Sequence, residues 1–152
     1  MPNWCQNKVI FVGDKIVEKI KSFDFESNVD GCLFKYLGLQ TDIGIDLNKE
    51  LIGTKWDIPH SRIHNRRVGH LEYDGDKDYV YLEFDTAWSP PENGIVAISR
   101  MYGCEIFLDS IEYGVGFKYQ LFAKNGSKEF ENESEITVID SIFATINGTN
   151  YV

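Results

Sequence analysis

Apolar positions along this chain fall into two periods, and the switches between them outline its elements. Lys8 to Val12 (KVIFV) is a short β-branched run closed by Gly13, which predicts a central strand with both faces covered. Asp14 is placed to cap the helix that follows, where Ile16, Val17, Ile20 and Phe23 form one stripe and Lys15, Glu18, Lys19 and Lys21 lie outside it. From Asp24 to Asn65 the glycines at 31, 38, 44 and 53 break every period, and a stretch so long is expected to be an insertion with local structure and function of its own. Alternation returns around Leu71 and Tyr73, then Val80, Leu82 and Phe84, on either side of a turn at Asp74 to Lys77: a β-hairpin with one buried face. Ser89-Pro-Pro-Glu92 matches a capping box with proline at the first helical position, ahead of Ile95, Ile98 and Tyr102 at helical spacing and a closing Gly103. Cys104 to Leu108 and Phe117 to Ala123 are two more alternating runs about a turn at Tyr113 to Gly116. After them come an acidic segment, Glu129 to Glu135, and a last apolar stripe of Ile136, Ile139, Phe143 and Ile146, either a helix capped by Ser134 or a strand.

The order βαββαβ predicts an α+β fold, a ferredoxin-like sandwich of an antiparallel sheet with two helices on one face. Its additions are an extra C-terminal edge strand from Phe117, a long insertion after the first helix and a C-terminal extension. The whole, 1–152, is expected to be a single domain: a core over 1–126 that includes the insertion 24–66, and the acidic segment with the terminal helix or strand over 127–152. The strands starting at Lys8 and Tyr79 are expected to run parallel. That would bring Gly13-Asp14 and Thr86 to Trp88 to one end of the sheet, where the segment 53–67 also enters the hairpin, and would make Trp56 and Trp88 neighbours.

Composition narrows the function. At 152 residues, 43% apolar and 14% aromatic, the chain can close a real core. It contains no apolar run of membrane-spanning length, and its start, MPNWCQNK, has no secretory pattern, so a cytoplasmic protein is expected. A net charge of -9 disfavours direct DNA binding and favours protein partners. Cys5, Cys32 and Cys104 have no metal or redox spacing and are expected to be small buried residues in a reducing compartment.

Three short blocks, MPNWCQNKVIFVG at the start, GTKWD at 53–57 and DTAWSPP at 85–91, each contain a tryptophan, and in that order they resemble the YubB-type family. That family comprises small proteins of phages, plasmids and genomic islands with a ferredoxin-like domain and no established activity. The resemblance spans residues 1 to 124, with Ile52 standing where the family often has tryptophan. It implies a protein of phage or other mobile-element origin and supplies no catalytic residue.

The candidate site is the segment from Lys55 to His70, where Lys55, Arg62, Arg66 and Arg67 face Asp57 alone, a net +3 inside an acidic chain. With Trp56 and Trp88 beside it, this patch suits an acidic partner surface or a nucleotide phosphate held by guanidinium forks. His60 and His64 share the segment. As a metal trio with Asp57 they are opposed by the neighbouring arginines and by Pro59, and no metal or other cofactor is expected. The leading expectation is a non-enzymatic binding protein that engages a host or defence component through Trp56, Trp88, Lys55, Asp57, His60, Arg62, His64, Arg66 and Arg67, or through an acidic face imitating nucleic acid with Glu129 to Glu135 and Asp74, Asp76 and Asp78. The alternatives are a protein sequestering a nucleotide or other small molecule in a Trp/Arg pocket, and a phosphodiesterase or nuclease using His60 and His64.

Overall fold

A computed structural model describes residues 3–41, 44–72, 75–114, 116–139 and 142. Strand β1 runs over Trp4–Val12 and helix α1 over Asp14–Lys21; the insertion holds α2 (Leu33–Tyr36), α3 (Ile45–Leu51) and a 3-10 turn at His60–Arg62. Then come β2 (Ile63–Glu72), β3 (Asp76–Ala87), α4 (Glu92–Tyr102), β4 (Glu105–Glu112), β5 (Phe117–Lys124) and β6 (Ser127–Glu135). They form one antiparallel sheet in the order β2-β3-β1-β4-β5-β6, whose first four strands are the ferredoxin-like core.

The expected parallel pairing of the first and third strands is wrong: β1 and β3 are antiparallel, with Trp4 opposite Ala87 and Val12 opposite Tyr79. The α1 crossover returns the chain in β2 one strand beyond its neighbour, and the β2–β3 hairpin then fills the gap by folding back. Gly13 therefore lies at the start of β3, where its N–H donates to Asp78 O, at the pole opposite Trp88.

Side chains alternate across the sheet. Val9 and Phe11 of β1, with Val80, Leu82 and Phe84 of β3, Ile106 and Leu108 of β4 and Leu121 of β5, pack against Ile16 and Ile20 of α1 and Ile95 and Ile98 of α4 in a single buried cluster. The insertion joins the same face. Phe34 and Ile52 sit so close to Gly94 that an added Cβ there would meet them at 3.1 and 3.2 Å, and Tyr102 Oη donates to Leu37 O at 2.8 Å. The opposite face of the sheet has no helix of this cluster on it.

Several boundaries differ from the sequence reading for local reasons. The N-cap of α1 is Gly13 at φ 142°, with Asp14 inside the first turn, where its charge suits the helix dipole. Helix α4 begins at Glu92 with Pro91 as cap, so Ser89 is not the N-cap: Ser89 and Pro90 each precede a proline, which drives them out of the helical region. Two strands extend the core instead of one. The acidic segment is the edge strand β6, joined to β5 by a turn with Asn125 at φ 50° and Gly126 at φ 87°. Ser134 lies within that strand and caps no helix; residues 138, 139 and 142 are helical, while the rest of the expected terminal element, like Tyr73 and Asp74 of the hairpin, lies outside the described residues. All three cysteines are free, and Cys5 and Cys104 are buried as expected, but Cys32 is only partly so, since it sits at the cap of α2 and bridges to Pro59.

Candidate functional site

The three tryptophan blocks meet at one pole of the sheet. Because Trp4 opens β1 opposite Ala87 at the end of β3, the Trp88 N–H reaches Asn3 O at 2.8 Å. Because β2 starts opposite Phe84, the loop that feeds it, 53–62, arrives at the same pole. There the backbone of Gly53, at φ 91°, presses on the turn after β3 so closely that a Cβ would lie 2.8 Å from Pro90 O. A chain of hydrogen bonds holds the turn from beneath. Ser110 Oγ donates to Asn7 Oδ1 at 2.6 Å, Asn7 Nδ2 to Thr86 Oγ1 at 2.9 Å, Thr86 Oγ1 to Ser89 O at 2.7 Å, and the Ser89 hydroxyl to Gly53 O. Thr54 Oγ1 adds a bond to Ala87 O at 2.7 Å. Asn7, Thr86 and Ser110 are buried, and this mutual satisfaction is what makes their burial affordable. Cys5 sits in the same layer, and burial, with Glu112 adding to it, pushes its thiol up to about 12.

Above this layer the rings and cations interleave. Trp4 and Trp56 have centroids 6.3 Å apart, the Arg62 guanidinium lies 3.8 Å over Trp4, and Lys55 Nζ lies 4.4 Å from the Trp88 centroid and 6.0 Å from that of Trp56. Trp56 and Trp88 thus share a rim as expected, although through antiparallel pairing. Trp88 adopts φ 74°, a left-handed conformation unusual for a bulky residue, and still leaves 43% of its surface exposed; Trp56 leaves 44%.

The other predicted residues are distributed differently. Asp57 is not on the rim. Its carboxylate accepts the N–H groups of Phe34 (2.9 Å), Lys35 (2.8 Å) and Ile58 (2.7 Å) and the hydroxyl of Thr41 (2.8 Å), closing the start of α2 onto the insertion. Arg66 and Arg67 point to opposite faces of β2, Arg66 over Phe25 at 4.3 Å and Arg67 over Tyr81 at 4.6 Å. His60 belongs to the 3-10 turn with its Nδ1 buried, whereas His64 on β2 has Nε2 2.8 Å from Asp85 Oδ2. No group of three or more His, Cys, Asp or Glu side chains suited to a metal ion exists among the described residues. The carboxylates considered as a nucleic-acid imitation lie apart: Asp76 and Asp78 are on β3, second in the sheet, and flank His70, while Glu131 on the far edge accepts from Lys128 and Tyr119. Trp4, omitted from the predicted set, is at the centre of the rim; its place at the head of the first block was the available signal. The Asn7–Thr86–Ser110 layer had none, since its members come from three strands whose pairing the sequence does not state.

Comparison with known proteins agrees with the fold. Residues 68–142 match the family model described as the ferredoxin-like domain in Api92-like protein. The match takes in β3, α4 and β4 to β6 with most of β2; of the rim it includes Trp88 alone. Neither a curated protein nor a solved structure matches the chain. Among the described residues no helix is long and apolar enough to cross a membrane.

Proposed function

We propose that this chain is a non-enzymatic binding protein whose contact surface is the rim of Trp4, Lys55, Trp56, Arg62 and Trp88, and that its partner is an acidic protein surface. The observation that carries this reading is Trp88. A left-handed backbone costs an ordinary residue about 1–2 kcal/mol, and a tryptophan kept there while nearly half exposed supports a role in contact more than one in folding. The rim has the composition of an interaction hot spot, aromatic rings with arginine. A guanidinium resting flat on a ring presents its N–H edge outward, in the fork that matches a carboxylate.

The origin and task follow from the resemblance of the three blocks to the YubB-type family. On that basis the protein is carried by a phage or other mobile element, acts in the host cytoplasm, and engages a host or defence component as an inhibitor. The test is affinity capture from host lysate by the full chain and by a Lys55→Glu, Arg62→Glu variant, with mass spectrometry of the protein and small-molecule fractions after nuclease treatment. An acidic protein retained by the parent and lost by the variant is the expected result. Equal retention by both removes the rim from function; a nucleotide retained without protein replaces this reading by ligand sequestration.

A further inference from the structure

The face of the sheet away from the helices carries a row that crosses all six strands at one level: Arg67, Tyr81, Ile10, Phe107, Phe122 and Phe130, each opposite the next in the strand register. Phe107 and Phe122 stack with centroids 4.5 Å apart and planes within 3°, and Phe130 is 54% exposed. A continuous apolar belt on an uncovered sheet is an interaction surface by the usual standard.

We infer that this face docks a second copy of the chain, sheet against sheet, about a two-fold axis parallel to the strands and midway between β1 and β4. That axis lays the strand order on its own reverse while keeping each row level. The apolar belt then meets itself, Ile10 on Phe107, Tyr81 on Phe122 and Arg67 on Phe130. The row below sets Lys8 against Asp109 and Glu83 against Gln120, and the next sets Asp85 against Lys118. On the other side Tyr79 meets Lys124, and Glu105, against Val12, already holds Lys77 of its own chain at 3.1 Å. No like charges oppose in these rows. The alternative two-fold, across the strands along the belt, sets Asp109 against Glu105 and is disfavoured.

Charge complementarity thus selects both the occupant and the operator, as an isologous interface requires. Six strands about 4.8 Å apart and seven residues of strand give a face of about 25 by 20 Å in plan, the scale of the roughly 800 Å² of accessible surface per partner in a standard interface. Sheets pack with a rotation of about 30°, which shifts peripheral contacts most and leaves the Ile10–Phe107 and Lys8–Asp109 pairs nearest the axis best preserved.

The experiment is sedimentation velocity on the full chain and its variants at about 10 µM, within the micromolar-to-picomolar span of interfaces this size. The parent is expected at twice its 17.5 kDa chain mass. Phe107→Asp, Lys8→Asp and Asp109→Lys, each checked for folding by circular dichroism, are expected to weaken self-association about tenfold or more, since each change is made twice per dimer. Mixing Lys8→Asp chains with Asp109→Lys chains restores the heterodimer, because both inter-chain pairs become opposite again; each chain's own environment is unchanged by mixing, so no effect within a chain can mimic this. The Lys55→Glu, Arg62→Glu variant is expected to remain dimeric, which separates this surface from the rim. A parent that stays monomeric, variants that dimerise as well as the parent, or a mixture no tighter than its components overturns the inference. Aromatic-row variants that lose a nucleic acid instead of a second chain would equally replace it.

Discussion

Each of the four cations that the sequence gathers between Lys55 and Arg67 lies over an aromatic ring, on Trp4, Phe25, Tyr81 or Trp88. Such contacts are worth about 0.5–1 kcal/mol where exposed, so they orient charge more than they stabilise the fold. Asp57 is of the opposite kind. It accepts three backbone N–H groups and one hydroxyl across the insertion, and Asp57→Ala leaves these donors without their acceptor. That substitution is expected to cost about 2–4 kcal/mol in urea unfolding while leaving partner capture by the folded fraction intact; loss of capture at unchanged stability would return Asp57 to the binding surface. Burial also pushes the Cys104 thiol up to about 12, with Glu105 beside it adding to the effect, as it does for Cys5. Iodoacetamide at pH 8 is therefore expected to label Cys32 and spare both others until the chain is unfolded. Labelling of Cys5 or Cys104 at the same rate as Cys32 would contradict the burial described.

At the scale of elements, the β2–β3 hairpin carries a titratable tie at the end far from the tryptophans. His70 Nδ1 lies 3.0 Å from Asp78 Oδ1, and Nε2 3.7 Å from Asp76 Oδ1. The hydrogen bond to Asp78 leads in raising the imidazole above its ordinary 6.5, helped by the charge of Asp76. A raised folded value means that the tie is complete below 6.5 and is lost as pH rises through the folded midpoint. The His70 ring protons are thus expected to titrate above 6.5, and in Asp78→Asn to return toward it; a parent midpoint at or below 6.5 contradicts the geometry. The elements most legible in the sequence were those whose period reflects burial on one face, such as Val80-Leu82-Phe84 and the stripe of α4. Strand β6 was hidden because, at an edge, its pattern records protection from further pairing instead of burial. Direction was hidden too, since alternation is identical in a strand and its reverse. The insertion resisted for a third reason: α2 and α3 are too short for a period and are held by distant contacts, Phe34 and Ile52 on Gly94 and the carboxylate of Asp57.

For the whole molecule, the ferredoxin-like order turns three blocks far apart in sequence into one rim, and it does so because β1 begins where β3 ends and β2 begins beside them. The tryptophans were legible as candidates, while the strained backbone of Trp88 and the hydrogen-bonded layer beneath it were not, being properties of the assembled turn. The most direct measurement of whether this rim exists for contact is Trp88→Gly, followed in parallel by chemical unfolding and by partner capture. Glycine accepts φ 74° without strain, so the variant is expected to be as stable as the parent or up to about 1 kcal/mol more so, and to lose the partner. A variant that unfolds at clearly lower denaturant, or that captures the partner as well as the parent does, would contradict the account.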